Sequence, residues 1–271
     1  MERSLGLMCG AGILPAHMAE EARRQGWRVV AFTFAEAPGV AALADRVCPV
    51  RLTQLGAVLA ALEEASISAV LFSGRFSMPD VLRFDHAVVD ATFRGVEERA
   101  GSRIDARFVR GMIETLAERG VEVLDQRAFV GDWFGDVGRW SVRPPSEDEW
   151  RDVWRGLDVA RMTAGAHVGQ TVVVRHGVVV AVEAVEGTTE TVRRGAALGG
   201  RGAVVVKAVA PDHDYRFDAP AVGPETLTAA AQGGVGVVAL EAGRVMLFDR
   251  DEALRIADAA GIAVVGVAGA P

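Results

Sequence analysis

The chain has 271 residues, half of them hydrophobic, so it can bury a sizeable core and is long enough for two domains. Its net charge of −7 argues against a protein that binds duplex nucleic acid, because neutralising phosphates requires a basic surface. Cys9 and Cys48 lie in apolar segments without metal-type spacing, which indicates buried thiols in a reducing compartment. We therefore expect a cytoplasmic protein. No apolar run approaches the roughly 18 residues of a membrane span, so any membrane contact would be peripheral.

The N-terminal half alternates apolar runs with helical periodicity, which predicts a parallel sheet covered by helices. A strand, a glycine turn and a helix with Pro15 in its first turn open the chain. The predicted strands are Leu5 to Met8, Arg28 to Phe34, Ala69 to Phe72 and Val121 to Leu124. The predicted helices are Pro15 to Gln25, Leu55 to Ala65 and Asp105 to Arg119. We expect this domain to cover residues 1–135.

The pattern breaks after Asp132 into Gly, Trp and Arg residues that end in a Pro-Pro pair. We place a linker at residues 136–145 and a C-terminal α/β domain at residues 146–271. Ser146 and Glu149 form a capping box, which predicts a helix that begins there and runs towards Val159.

Paired apolar runs in the C-terminal half predict two antiparallel hairpins. They join Thr171 to Val174 with Val178 to Val182, and Val235 to Glu241 with Arg244 to Phe248. A further predicted strand ends at Lys207, and a helix is predicted to start at Pro224. Asp249 is expected to cap a last helix through Ala260, and a final strand is predicted over Ile262 to Val267. We therefore predict a mixed α/β layer structure.

The turn Gly10-Ala11-Gly12 follows the first strand and is a candidate phosphate site, because glycines let N–H groups approach a phosphate at a helix N-terminus. A nicotinamide fingerprint would need a third glycine, and Glu36 is only a loose match for a ribose-binding acid. A tight strand-to-helix turn is the alternative. The segment Ser73-Gly74-Arg75 adds an anion-binding candidate at the same sheet edge, with a solvated surface arginine as its alternative.

Lys207 is the only lysine in the chain, so arginine supplies the rest of its 29 Lys and Arg residues. An ammonium is a compact, rotatable donor, whereas a guanidinium is a rigid fork, so the two differ most where an anion is bound tightly. The loop after Lys207 carries three acids that would repel one another unless a cation or hydrogen bonds satisfied them. These acids are Asp212, Asp214 and Asp218.

Mg²⁺ or Mn²⁺ suits such oxygen ligands and, with Lys207 and Arg216, would neutralise a diphosphate while one carboxylate activates water. The alternative is an exposed loop whose acids pair with Arg216 and cap the helix at Pro224. A second polar stretch, Glu183 to Thr189, presents a carboxylate and a hydroxyl around Gly187, although alone it is typical of a turn before a helix. The five histidines, including His86 and His213, show no zinc-ligand spacing.

Taken in order, several segments resemble the LpxI family, the UDP-2,3-diacylglucosamine pyrophosphatases of lipid A biosynthesis. These segments are Gly6 to Pro15, Gly169-Gln170, Glu183 with Glu186 to Thr188, Lys207, and Asp214 to Gly223. The resemblance spans nearly the whole chain. It implies an α/β fold in which an N-terminal Rossmann-like parallel-sheet domain and a distinct C-terminal mixed α/β domain hold the substrate between them. It also implies magnesium-dependent hydrolysis of UDP-2,3-diacylglucosamine to UMP and 2,3-diacylglucosamine 1-phosphate (lipid X) by a cytoplasmic protein peripheral to the inner membrane.

By position, the resemblance makes Asp218 the key catalytic aspartate. It implies that Asp214, Lys207 and Arg216 complete the catalytic set, with Asp218 and Asp214 as metal ligands. The implied substrate-binding residues are Gly10, Gly12, Ile13, Leu14, Gly74, Arg75, Gln170, Glu186, Gly187 and Thr188.

The chain departs from the family pattern, which has Gly, Asp, Gln and Thr at the positions of four of its residues. These residues are Ala11, Thr189, His213 and Ala221. The departures leave open an altered substrate or lost activity, so the alternative function is a non-catalytic protein that binds a nucleotide sugar or a lipid. A nicotinamide-dependent oxidoreductase would rest on the glycine turn alone. The sequence leaves the acyl-chain preference, the preferred metal and the oligomeric state open, with a homo-oligomer among the alternatives.

Overall fold

The computed structural model describes residues 3–76, 78–83, 85, 88–101 and 106–269. The chain forms two compact units, the first consisting of Met1–Gly131 with Asp214–Asp218 and the second of Asp132–His213 with Ala219–Pro271. An α/β fold with an N-terminal parallel sheet and a separate C-terminal sheet is confirmed. The domain limits at residues 135 and 146 stay a prediction. The sequence predicted one continuous C-terminal domain and did not indicate that Asp214–Asp218 groups with the first unit.

The first unit is built on a parallel sheet with strand order β3-β2-β1-β4-β5. Its strands are β1 (Arg3–Cys9), β2 (Trp27–Thr33), β3 (Arg46–Pro49), β4 (Ala69–Ser73) and β5 (Glu122–Val123). Its helices are α1 (Leu14–Arg24), α2 (Val40–Leu43), α3 (Leu55–Glu64), α4 (Met78–Arg83), α5 (Ala91–Ala100) and α6 (Ala106–Ala117). The sequence did not predict β3 or α5, and Asp105, the predicted start of α6, lies outside the described residues.

One core cluster of the first unit lies between one face of the sheet and the helices α3, α5 and α6. Successive side chains of a strand point to opposite faces, so alternate residues such as Val70 and Phe72 of β4 enter the same core. Helical spacing does the same on α3, where Leu55, Val58 and Leu62 are buried. The parallel arrangement brings the carboxyl ends of β1 and β4 together, with Cys9 in register beside Ser73.

The second unit contains a six-stranded mixed sheet with strand order β6-β13-β11-β9-β7-β8, and a two-stranded sheet of β10 and β12. Its strands are β6 (Gly138–Arg139), β7 (Thr171–Arg175), β8 (Val178–Val182), β9 (Val204–Lys207), β10 (Ala221–Val222), β11 (Val237–Glu241), β12 (Met246–Leu247) and β13 (Ala263–Val267). Its helices are α7 (Glu147–Gly165), α8 (Thr188–Gly199), α9 (Pro224–Gln232) and α10 (Arg250–Ala260). Strands β9, β11 and β13 are parallel, whereas β7 runs antiparallel to both β8 and β9.

Local signals in this half gave mixed results. The capping box of Ser146 and Glu149 is confirmed, and α7 runs beyond Val159. The first hairpin is also confirmed: β7 pairs with β8 across a turn in which His176 and Gly177 have φ angles of 50° and 77°. Asp249 occupies the N-cap position of α10, but its side chain forms no capping hydrogen bond, so that expectation is wrong.

The predicted second hairpin is wrong. Strand β11 pairs in parallel with β9 and β13, whereas β12 pairs with β10 in the separate small sheet. All five residues of β11 are buried, as is typical of a central parallel strand, and an unbroken apolar run does not distinguish this arrangement from a hairpin. At the turn, the Ala242 N–H donates to the Val267 carbonyl and thereby continues the pairing with β13.

Candidate active site

In the first unit, the glycine turn after β1 packs against the turn after β4. A Cβ atom on Gly10 would lie 2.7 Å from the Arg75 carbonyl oxygen, and Gly74 has a φ angle of 84°. Both glycines are therefore required by the close approach of the two backbones. The N–H groups of Gly10, Ala11 and Gly12 donate to the carbonyls of Ser73, Arg75 and Glu36 at 2.8, 2.8 and 3.2 Å.

Since those three N–H groups already have partners, a phosphate at this turn would need other donors. Ile13 caps the N-terminus of α1 and Leu14 is its first residue. The Arg75 side chain is exposed and forms no ion pair with any residue that the structure describes. The assignment of Gly10, Gly12, Ile13, Leu14, Gly74 and Arg75 to substrate binding stays a prediction.

Ser73 adds a buried polar atom at the same sheet edge. Its residue is 2% exposed, and its Oγ atom has no hydrogen-bond partner within the described part of the chain. A buried hydroxyl without a partner is unfavourable, so such atoms in proteins commonly meet water or a ligand. Sequence reasoning included Ser73 in the anion-binding candidate Ser73-Gly74-Arg75 but did not single it out, because nothing in a sequence marks an unsatisfied hydroxyl.

The acid segment Asp214–Asp218 belongs to the first unit. Asp214 and Arg216 form a two-pronged ion pair, with Nε to Oδ1 at 3.0 Å and Nη2 to Oδ2 at 2.7 Å. The hydrogen bond to Asp214 raises the pKa of Arg216 above its usual value. Asp218 lies exposed in the same segment. An acid therefore pairs with Arg216, as the alternative interpretation expected, but Gly223 caps the helix at Pro224 without a side-chain hydrogen bond.

One backbone hydrogen bond and two aromatic side chains hold this segment against the rest of the first unit. The Gln126 N–H donates to the Tyr215 carbonyl at 3.0 Å, and the Arg127 guanidinium lies 4.4 Å from the centre of the Tyr215 ring. Arg127 is held in turn by Asp125, whose pKa is lowered mainly by that hydrogen bond. The Phe217 ring lies 4.6 Å from the ring centre of Phe72. Two of the residues that precede Asp218, Tyr215 and Phe217, are thus fixed by contacts with residues about 90 or more positions away in sequence.

In the second unit, Lys207 ends β9 and its ammonium is buried among oxygen atoms. Its Nζ atom lies 2.8 Å from Thr188 Oγ, 3.3 Å from Thr171 Oγ and 3.5 Å from Glu183 Oε2. The register of the sheet accounts for one of these contacts, because Thr171 of β7 pairs directly with Lys207. The Lys207 side chain is 4% exposed, so its charge is satisfied within the unit.

Glu183 is the acidic partner in this cluster. Burial favours its protonated form, but the Lys207 charge and the hydrogen bonds from Thr171, Thr188 and the Gln170 N–H outweigh burial, so its pKa lies below its usual value. Gly169 is required beside it, since a Cβ atom there would lie 2.1 Å from the Glu183 carbonyl oxygen. The structure therefore brings four polar residues together that lie in three separate segments of the sequence.

The other predicted residues of this unit surround that cluster. Gln170 contributes its N–H to Glu183 Oε2 at 3.3 Å. Gly187, with a φ angle of 84°, is the N-cap residue of α8, which starts at Thr188. Glu186 faces a different partner, since its Oε1 atom accepts a hydrogen bond from Arg194 at 2.5 Å.

A second buried carboxylate, missed by the sequence reasoning, fixes the start of the loop after Lys207. Glu241 is 2% exposed, and its Oε1 atom accepts a hydrogen bond from Arg161 Nε at 2.9 Å. Its Oε2 atom accepts the Val209 N–H at 2.9 Å. Arg244 adds a hydrogen bond to the Ala210 carbonyl. No sequence signal indicates that Glu241, at the end of an apolar strand, is a buried ion-pair partner.

The residues that differ from the family pattern have ordinary local roles. The Thr189 and Thr226 hydroxyls lie 3.0 Å apart and share a hydrogen bond. Ala221 forms part of β10, and Ala11 exchanges backbone hydrogen bonds with Arg75. His213 is the last residue of the second unit before the acid segment.

The carboxylate oxygens of the acid segment are ligands of the type that Mg²⁺ binds, but the described side chains do not surround a metal position. Among the residues described, no three His, Cys, Asp or Glu side chains are grouped so that they could hold a metal ion. Both carboxylate oxygens of Asp214 already accept hydrogen bonds from Arg216. Mg²⁺ is commonly held by one or two carboxylates and takes its other ligands from water and substrate phosphates. The assignment of Asp218 and Asp214 as metal ligands stays a prediction.

Comparison with known proteins gives matches over both halves of the chain. The family profile of the LpxI N-terminal domain matches residues 4–133, and that of the LpxI C-terminal domain matches residues 136–265. The chain is also 31% identical to the UDP-2,3-diacylglucosamine pyrophosphatase LpxI of Caulobacter vibrioides, in an alignment that covers 98% of each chain.

Similarity to solved structures is low. CobK precorrin-6A reductase is 14% identical, with 99% of this chain and 90% of that chain covered and a TM-score of 0.36. Glycinamide-RNase-transformylase T from Mycobacterium tuberculosis is 13% identical, with 52% and 38% covered and a TM-score of 0.27. Neither likeness carries an argument about function.

Proposed function

The chain belongs to the LpxI family, and we infer that it hydrolyses the diphosphate bond of UDP-2,3-diacylglucosamine in lipid A biosynthesis. The observation that carries this inference is the whole-chain match to both LpxI domains, together with 31% identity to a named pyrophosphatase over 98% of each chain. The products are UMP and 2,3-diacylglucosamine 1-phosphate.

We assign the central catalytic role to Asp218. It is an exposed carboxylate in a segment whose neighbours Tyr215 and Phe217 are fixed by packing, so its backbone is positioned while its side chain remains accessible to solvent. A carboxylate placed in this way can orient or deprotonate an attacking water molecule. Arg216, held in place by the two-pronged contact with Asp214, is suited to stabilise negative charge on a diphosphate.

Lys207 has a different role from the one that its sequence position suggested. Its ammonium is buried and satisfied by Thr171, Thr188 and Glu183, so we propose that it is a positioning residue rather than a group that contacts substrate. It fixes the Thr188 hydroxyl at the N-terminus of α8. A helix N-terminus favours anions, so the order that Lys207 imposes there would serve phosphate binding by the Gly187 and Thr188 segment.

We propose that Mg²⁺ assists the reaction, with Asp218 as its protein ligand. The metal would neutralise charge on the diphosphate. Asp214 would have to release Arg216 before it could bind the metal. We therefore propose that Asp214 holds that arginine in place and leaves metal binding to Asp218. The segment supplies oxygen ligands alone, which is the chemistry that Mg²⁺ and Mn²⁺ prefer.

We also propose that the protein meets its substrate at a membrane surface. The acyl chains of a diacylated substrate favour a lipid phase, so the enzyme has to take the substrate from there. None of the described helices is long and apolar enough to cross a membrane.

The test is product analysis of purified protein with Mg²⁺ and UDP-2,3-diacylglucosamine in detergent. UMP and the lipid phosphate should appear in equal amounts, and EDTA should stop the reaction. If the substrate binds but no UMP forms with Mg²⁺ or Mn²⁺, the hydrolase is ruled out and a non-catalytic binding protein is favoured. If UMP forms equally well in EDTA, the proposed metal dependence is wrong while the hydrolase stands.

A further inference from the structure

One turn of the second unit binds the chain on both sides of the acid segment. We call it the β11–β12 turn, and it covers residues 241–248, from the last residue of β11 to the residue after β12. Two of its side chains bind residues 209–211, which precede the acid segment. Its backbone pairs with residues 220–222, which follow the segment. The loop that carries Asp218 therefore starts and ends on the same turn.

The contacts before the acid segment are made by charged side chains. Glu241 is 2% exposed, and its Oε2 atom accepts the Val209 N–H at 2.9 Å. The Nη2 atom of Arg244 donates to the carbonyls of Ala210 and Pro211, the second at 3.1 Å. Hydrogen bonds in which one partner is ionised are stronger than those between neutral groups. Three consecutive backbone residues are thus bound by two side chains of one turn.

The two side chains are also fixed to each other and to α7. The Nε atom of Arg244 lies 3.9 Å from Glu241 Oε2, and Arg161 of α7 donates through Nε to Glu241 Oε1 at 2.9 Å. A buried carboxylate is stable only when cations and hydrogen bonds satisfy it, and Glu241 has both. The carboxylate therefore has a defined position from which it can hold the Val209 N–H.

The contacts after the acid segment are made by the backbone. The Met246 N–H donates to the Pro220 carbonyl at 2.8 Å, and Met246 is in register with Ala221 in the parallel pair of β10 and β12. Pro220 is the second residue after Asp218. This end of the loop is therefore held by strand pairing, which does not depend on a charged side chain.

The β11–β12 turn is itself held on another side. The Ala242 N–H donates to the carbonyl of Val267, the last residue of β13, at 2.8 Å. The Gly243 N–H donates to the Gly135 carbonyl at 2.9 Å. Gly243 has a φ angle of 68°, which glycine adopts without strain. The turn is thus a fixed support for the two ends of the loop.

We propose that Glu241 and Arg244 are positioning residues for the reaction, because they fix the base of the loop that carries Asp218. This inference rests on the proposed function for the role of Asp218. A carboxylate that activates water has to stay close to its working position, and a displacement of about 1 Å can slow a reaction about a hundredfold. Release of residues 209–211 would let Asp218 occupy more positions, so turnover would fall while the groups that bind substrate remain.

The test compares Arg244→Met with Arg143→Met, a matched control in the same unit. The two arginine side chains are 30% and 34% exposed. Arg143 also pairs with a carboxylate, that of Glu149, and donates to a carbonyl, that of Gly236 at 2.8 Å. Within the described part of the chain, none of its hydrogen bonds goes to residues 209–222.

Hydrogen exchange measured by mass spectrometry reports on the loop without any turnover. The His213 N–H donates to the Ala210 carbonyl at 3.1 Å, and Arg244 holds that same carbonyl. Peptides that contain His213 should exchange about tenfold faster in Arg244→Met, as expected for the loss of a hydrogen bond from a charged group. They should exchange at the wild-type rate in Arg143→Met.

Kinetics with UDP-2,3-diacylglucosamine separate positioning from a loss of stability. In Arg244→Met the kcat should fall at least about tenfold while the KM stays within about twofold of wild type. Arg244→Lys should recover part of the kcat, since an ammonium on a flexible stem can still bind one of the two carbonyls. Arg143→Met should keep the kcat of wild type even though it melts at a lower temperature.

Glu241→Gln protects the test against failure of Arg244→Met to fold. An amide accepts through one oxygen only, so this variant loses the hydrogen bond either from Arg161 or from the Val209 N–H. It should show the same faster exchange at His213 and the same fall in kcat. Thermal unfolding shows which variants are folded.

The outcomes separate this proposal from the proposed function. Faster exchange at His213 in Arg244→Met and not in Arg143→Met supports the fixed loop base even if wild type produces no UMP, a result that would overturn only the proposed function. Equal exchange in the two variants overturns the positioning role even if UMP is produced normally. With an active wild type, an unchanged kcat in Arg244→Met or an equal fall in Arg143→Met overturns it as well.

Discussion

The Nζ atom of Lys207 lies 2.8 Å from the Oγ atom of Thr188, the first residue of α8. This contact joins the end of a central strand to the start of a helix through the only lysine of the chain. An ammonium carries three rotatable N–H donors, and Lys207 has three oxygen partners, Thr171, Thr188 and Glu183. A planar guanidinium is larger and directs its five donors differently, which gives a physical reason why arginine does not replace this lysine.

Replacing Lys207 should therefore destabilise the second unit. We expect Lys207→Met to lower the free energy of unfolding by about 3 kcal/mol, because it leaves the buried Glu183 carboxylate without its cation. Lys207→Arg should also destabilise, since a larger group has to fit a closed site. Urea denaturation measures both effects.

The double variant Lys207→Met with Glu183→Gln is the control for that experiment. It removes both charges and should recover part of the lost stability, because an unpaired buried charge is no longer present. Equal stability of wild type and Lys207→Met would show that the ion pair contributes nothing.

The dependence of stability on pH should reveal Glu183. Burial raises the pKa of this carboxyl, but Lys207 and the surrounding hydrogen bonds lower it more, so it ends below the usual 4.5 in the folded protein. A carboxyl with a lower pKa in the folded state contributes stability above its unfolded pKa and loses it as the pH falls through the folded pKa. The melting temperature of wild type should therefore fall below about pH 4.5.

Glu183→Gln isolates this effect from other carboxyls with lowered pKa values, such as Asp125 and Glu149. Its melting temperature should depend less steeply on pH than that of wild type over the same acidic range. Parallel curves for the two proteins would mean that Glu183 does not contribute to acid sensitivity.

Signals between near neighbours were readable from the sequence, and contacts between distant segments were not. Gly177 at a two-residue turn correctly predicted the β7 and β8 hairpin. The sequence could not place β11 between β9 and β13, because that pairing depends on strands that are distant along the chain. Asp218 was singled out by resemblance. The nearby Tyr215 and Phe217 are held by contacts with residues of the N-terminal half, and no spacing within the loop indicates those contacts.

Ser73 offers a test of a buried polar atom. Because its Oγ atom has no hydrogen-bond partner in the described part of the chain, Ser73→Ala loses no hydrogen bond. We expect the free energy of unfolding to stay constant or rise by about 1 kcal/mol, since an unsatisfied buried hydroxyl is unfavourable. Chemical denaturation measures it, and a fall of about 1 kcal/mol or more would reveal a partner such as a bound water molecule.

The two thiols should differ in reactivity. Cys9 is buried, and burial raises its pKa to about 12, so almost no thiolate forms near neutral pH. Cys48 is only half-buried. Iodoacetamide should therefore label Cys48 first in the native protein and both cysteines in denaturing urea, as peptide mass spectrometry can measure. Faster labelling of Cys9 in the native protein would contradict its burial.

The account is tested most directly by the turnover number for UDP-2,3-diacylglucosamine of Asp218→Asn beside wild type. Asp158→Asn is the control, because it removes another exposed carboxylate charge, from the middle of α7. We predict that Asp218→Asn lowers kcat about a hundredfold or more, as expected for loss of a catalytic carboxylate, with unchanged thermal unfolding. Asp158→Asn should keep the kcat of wild type. Full turnover by Asp218→Asn would contradict the central role assigned to Asp218.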